Sequence, residues 1–135
     1  MSDFAKRTLA DRVHAVPPSG IRRFFDIAAQ MQGLVEAITM ARRAGISDDV
    51  FFSVLAKHTS YSPLAKLKEP KLRAEDFAPQ FSVKHLHKDL RLASDMVGCT
   101  DFPLLTMLRE TLRTAEARGL GNEDISAVIK LLAER

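Results

Sequence analysis

From residue 21 onward the chain repeats apolar side chains at helical spacing, segment after segment. Nowhere does it alternate apolar and polar residues as a half-buried strand does. The longest segment runs from Ile21 to Ala44, with Pro17-Pro18-Ser19-Gly20 before it and Gly45 after it. At about 100° per residue, Phe24, Ile27, Ala28, Met31, Leu34, Val35 and Ile38 share one broad face. Arg22, Arg23, Asp26, Gln30 and Glu36 lie away from it. Ser19 is expected to cap the start and Gly45 to take the left-handed position at the end. Such a helix is about 36 Å long, enough to be the spine of a small domain.

Shorter helices follow. Ser47 precedes Asp48 and Asp49, whose charges suit a helix N-terminus, and Phe51, Phe52, Val54 and Leu55 supply apolar contacts. Residues 59–82 contain Pro63, Pro70 and Pro79 and read as a loop around one short helix. A helix from about Val83 to Val97 buries Val83, Leu86, Leu90, Ala93 and Val97. Pro103 suits the first turn of the next helix, where Leu104, Leu108, Leu112 and Ala115 keep helical spacing and Gly119 stops it. Asn122 is expected to cap a last helix with Ile125, Val128, Ile129 and Leu132 facing inward. An amphipathic segment from Phe4 to Val13 adds one more. The fold class is all-α: a helical bundle around one long central helix (about 21–44). The Pro-Pro-Ser-Gly turn divides an N-terminal arm, residues 1–20, from the helical domain, residues 21–135.

Composition narrows the setting. The 135 residues make about one domain, 46% hydrophobic and 27% charged, as in ordinary globular proteins. No run of eighteen apolar residues is present, and the N-terminus lacks the apolar stretch of a signal peptide, so no membrane role is expected. The single cysteine, Cys99, excludes a disulfide framework and suits a reducing cytoplasm; without a base nearby in sequence it reads as a packing residue. A net charge of +3 names no anionic partner. Arg22-Arg23 and Arg42-Arg43 lack interleaved aromatics and read as surface charge, so no nucleic acid is implied.

Several ordered motifs carry a resemblance. Gly33-Leu34-Val35-Glu36-Ala37 is followed by Ala44-Gly45-Ile46, then Asp76-Phe77-Ala78-Pro79-Gln80-Phe81, then Lys88-Asp89-Leu90-Arg91-Leu92-Ala93, and last Gly119-Leu120-Gly121-Asn122-Glu123-Asp124-Ile125-Ser126-Ala127. Over about 105 residues the chain resembles the C-terminal helical domain of the 3-hydroxyisobutyrate dehydrogenase family, a domain type shared with 6-phosphogluconate dehydrogenases. Residues 12–26, Arg12-Val13-His14-Ala15-Val16-Pro17-Pro18-Ser19-Gly20-Ile21-Arg22-Arg23-Phe24-Phe25-Asp26, resemble instead the opening arm of class I pyridoxal-phosphate aminotransferases. Together the two resemblances imply a fusion or chimera with a join near Met31.

The dehydrogenase resemblance implies a nicotinamide cofactor held on a Rossmann domain by a glycine-rich turn. The glycines here, Gly20, Gly33, Gly45, Gly98, Gly119 and Gly121, form no G-x-G-x-x-G, so no Rossmann domain is read in these residues. Counted back from Glu36, the family's catalytic lysine and asparagine fall on Gly20 and Phe24, and the sole asparagine, Asn122, is remote. Hydride transfer needs a cofactor held against the substrate and a proton donor. The chain alone is therefore expected to be inert, with NAD(P) used only beside a separate Rossmann subunit.

Candidate chemistry is sparse. Lys84, His87, Lys88 and Arg91 stand at i, i+3, i+4 and i+7, a basic stripe suited to a carboxylate or phosphate; the resemblance places Lys88 near the family's cleft. His85 and His87 point to different sides of a helix, so no metal site is expected. Phe24, Phe25, Ile27 and Met31 are expected to meet a second copy, giving a homodimer or higher homo-oligomer. The expected role is a non-catalytic, self-associating helical module; the alternative is the substrate-binding half of an NAD(P)-dependent 3-hydroxyacid dehydrogenase.

Overall fold

The spine helix begins earlier than its apolar pattern does. In the computed structural model, which describes residues 18–97 and 101–133, α1 spans Pro18–Arg43. Proline needs no amide donor and its fixed φ suits a first helical turn, so the helix starts there and Ser19 lies inside it rather than capping it. At the other end Gly45 adopts φ 80°, the left-handed conformation expected of it. The arm helix expected over Phe4–Val13, and Cys99, lie outside the described residues.

Four helices and a 3₁₀ turn wrap this spine before a short terminal helix. α2 spans Asp48–Leu55, with the Ser47 hydroxyl accepting from the Val50 amide. α3 spans Pro63–Ala74, capped by Ser62 and carrying Pro70 inside it. α4 runs Val83–Val97, and α5 runs Pro103–Ala117 and is followed by Gly119 at φ 84°. The 3₁₀ turn Ile125–Val128 leads into α6, Ile129–Ala133. Asp124, not Asn122, caps that last segment, because its carboxylate receives the Ser126 amide. The only β-type pairing among the described residues is an isolated bridge between Ser82 and Asp124.

α1 touches every other element. Met31, Val35 and Ile38 from it meet Phe52, Leu72, Leu86, Leu90, Leu108, Leu112, Ile125 and Val128 in one core. Three expected core positions differ. Val54, Val97 and Leu104 are exposed. Val54 and Val97 sit on edges of their helices that no other described element covers, and Leu105 takes the buried place beside Leu104. Apolar spacing marks a face, but only the neighbouring helices decide how wide a band of it is covered.

Candidate functional site

The basic stripe does not come together as one site. Lys84, Lys88 and Arg91 are exposed on α4, whereas His87 is buried. The turn of the helix aims His87 at α5, where its Nδ1 lies 3.4 Å from Oε2 of Glu116 without a well-formed hydrogen bond. His87 is thus part of the α4–α5 contact. Lys88 instead acts on a neighbouring carboxyl together with His85 and Arg23, which lie outside the stripe.

That carboxyl is Asp89. Burial holds the Asp89 carboxyl above its ordinary range, and the charges of Lys88, His85 and Arg23 pull it back down. Arg23 comes from the first turns of α1, where its guanidinium also lies 5.3 Å from the centre of the Phe24 ring. The Phe24 ring in turn lies 6.5 Å from that of Phe81. At the start of α4 the Ser82 hydroxyl is 2.6 Å from His85 Nδ1 and accepts from the His85 amide. That is a local helix cap with a buried hydroxyl, not an accessible nucleophile. A shallow hollow of about 410 Å³ opens alongside, lined by Gln80, Phe81, Ser82, Lys84, His85 and Asn122. The arrangement can attract a small anion by charge-assisted hydrogen bonds.

The four residues expected to meet a second copy turn largely inward. Met31 is 2% exposed and belongs to the core, so it is unavailable to a partner. Phe24, Phe25 and Ile27 are half-buried and pack against that core. Among the described residues no cluster of three or more His, Cys, Asp or Glu could hold a metal ion. No helix among them is long and apolar enough to cross a membrane.

The sequence reading also passed over a densely hydrogen-bonded buried group among the described residues. Lys68 and Asp124, 56 residues apart, are both fully buried, and Lys68 Nζ donates to both Asp124 oxygens at 2.9 Å and to Gln80 Oε1 at 3.0 Å. The amides of Gln80 and Phe81 donate to Asp124 Oδ1, and the Ser126 amide and hydroxyl donate to Oδ2. Burial pushes the Asp124 carboxyl up, but Ser126, Lys68 and Gln80 outweigh it and hold the group below the ordinary carboxylate range. This knot fixes the loop that carries Gln80, Phe81 and Ser82, one wall of the hollow. A lysine within an otherwise helical run gave no sign of it; the signal was Asp-x-Ser at 124–126, a capping pattern.

Among the described residues no glycine turn that could cradle a dinucleotide phosphate is present. The positive-φ glycines, Gly45 and Gly119, both follow helix C-termini, so neither forms a phosphate-cradling turn at a helix start.

Comparison with known proteins places this geometry. Residues 26–132 match the family model described as NAD-binding of NADP-dependent 3-hydroxyisobutyrate dehydrogenase. Glyoxylate/succinic semialdehyde reductase 1 of Arabidopsis thaliana is 29% identical over 106 residues, 77% of this chain and 37% of that protein. The 2-(hydroxymethyl)glutarate dehydrogenase of Eubacterium barkeri is 32% identical over 109 residues, 78% of this chain and 36% of that protein. The crystal structure of a 3-hydroxyisobutyrate dehydrogenase from Salmonella typhimurium superposes with a TM-score of 0.75 at 29% identity, covering 82% of this chain and 40% of that one. The chain spans little more than a third of the length of these curated relatives. Nothing in these matches supports the aminotransferase resemblance of residues 12–26, and the family model begins only at residue 26.

Proposed function

The chain belongs to the 3-hydroxyisobutyrate dehydrogenase family, and from that premise we propose that these residues act as a non-catalytic helical module that associates with a second copy of itself in a reducing cytoplasm. One observation carries the first half of this reading. Phe24 stands where the resemblance puts the family's asparagine, and its ring faces Phe81 with Arg23 beside it. A hydrocarbon pair thus fills a position where the chemistry needs a polar group, and Gly20 brings no proton donor to the lysine position. Self-association is supported by the apolar surface the fold leaves open, Met40 at 69% and Val54 at 63% exposure among it. The fused or chimeric origin belongs to this same reading.

The test has two arms. Purified chain mixed with NADPH and small 3-hydroxy acids or semialdehydes should show neither turnover nor calorimetric uptake of the nucleotide. Light scattering over a range of concentrations should show a mass above that of one chain. Tight nucleotide uptake by the chain alone, or a single-chain mass throughout, overturns the corresponding half.

The exposed cations of α4 favour a second reading. Lys84, Lys88 and Arg91 are exposed on one helix, and the charges of Lys88 and Arg23, from two helices, both act on Asp89. In that reading the chain is the substrate-binding half of an NAD(P)-dependent dehydrogenase, completed by a separate Rossmann subunit with Lys84, Lys88 and Arg91 lining the shared cleft. NADPH oxidation that appears only when an isolated Rossmann polypeptide is added, and that falls in Lys88→Ala, supports it; no rate in the mixture removes it.

A further inference from the structure

Between α1, α5 and α6 lies a groove of about 500 Å³. Leu104, Met107, Leu131 and Leu132 make its lining apolar, and Glu36 of α1 and Glu110 of α5 belong to the same lining. Met107 is 65% exposed and Leu104 46%, so the described elements leave this apolar surface open. Glu110 is held by Arg113 at 2.8 Å. Glu36 accepts the Gln32 side-chain amide at 3.1 Å and forms no ion pair among the described residues. Arg118, the one cation of the lining, already has a partner of its own. The groove therefore suits an apolar stripe bordered by positive charge.

Residues 1–17 lie outside the described residues, and their sequence carries such a stripe. At helical spacing Ala5, Leu9 and Val13 fall in one line, Lys6 and Arg12 border it on either side, and Asp11 lies opposite. We propose that this arm turns back along α1 and seats the stripe in the groove of its own chain, with Lys6 beside Glu36. Length agrees. Val16 and Pro17 each precede a proline, which disfavours helix there and separates the arm from α1. A linker of residues 14–17 spans about 15 Å. At about 1.5 Å for each helical residue beyond it, Leu9 lies about 21 Å and Lys6 about 26 Å back from Pro18. The same rise along α1 puts Gln32 about 21 Å and Glu36 about 27 Å from Pro18, and both line the groove. An arm so seated takes Leu104 and Met107 out of water. The proposal goes beyond the association reading and holds whether or not the chain pairs.

Limited trypsin digestion of the folded chain reads the arm directly, because Lys6, Arg7 and Arg12 are cleavage sites within it. Met107→Glu and Leu9→Gln should each speed cleavage there at least about tenfold. Met40→Glu, as exposed but outside the groove, should leave the rate unchanged. Leu9→Gln alters no residue of the described core and decides the matter should Met107→Glu misfold. In a mixture of light and isotope-labelled chains, zero-length carbodiimide cross-linking should join Lys6 to Glu36 within chains of one label. Arm cleavage as fast in the wild type as in both variants, or speeded equally by Met40→Glu, overturns the proposal. So does the absence of any Lys6–Glu36 link. Links that join light chains to labelled ones overturn it too, and give the groove to the arm of a second copy.

Discussion

Asp124 gathers more of the chain's long-range order than any other polar residue described. It receives Lys68 from α3, two amides from the loop before α4 and the start of its own 3₁₀ turn. Removing one member of a buried pair leaves the other charge uncompensated, at about 3–5 kcal/mol. Asp124→Ala and Lys68→Met should each destabilise the chain by that much in urea unfolding, and the double variant should lose less than the sum. The pH dependence has a definite sign. The folded Asp124 titrates below its unfolded value of about 3.9, so its stabilisation is complete above that pH and is lost as pH falls below about 4. In Asp124→Ala that part of the acid-side loss should vanish. His87 and Met31 make the matching point: one was expected in a basic stripe and the other against a second copy, and in each the protein's own neighbouring helices turned the candidate contact into packing.

Helix ends were more legible than helix faces. Ser47 caps α2 as expected, while Ser62 caps α3 without having been singled out. Ser47→Ala and Ser62→Ala should each cost about 1 kcal/mol, additively, because the two caps share no partner. Gly119, at φ 84°, should lose about 1–2 kcal/mol as Gly119→Ala, since a Cβ is disfavoured in the left-handed region. Thermal melts of the three variants check both statements. Pro18 shows the limit of capping logic. Ser19 was the better cap on residue type, but a proline immediately before it extends the helix past the apolar pattern.

At the scale of the whole molecule, α1 is the spine and the remaining helices pack around it. Phe52 is 2% exposed and belongs to the core that closes on α1. Phe52→Ala should therefore cost about 3–5 kcal/mol and shift the cooperative unfolding midpoint of the whole bundle, with no separate transition for α2. A two-step melt would show instead that α2 unfolds by itself.

The order of the main helices was set by sequence alone, because apolar spacing and terminal residues are local properties that no neighbour needs to supply. Val83–Val97 emerges within its expected bounds for that reason, and the ordered motifs from Gly33 to Ala127 pointed to the family. Which side of each helix would be covered was settled only by tertiary structure. Burial depends on the element lying opposite, and spacing along one helix is silent about that neighbour. So Lys68 found Asp124 across 56 residues, His87 left the basic stripe for α5, Arg23 joined Lys88 around Asp89, and Gly33 was left facing outward.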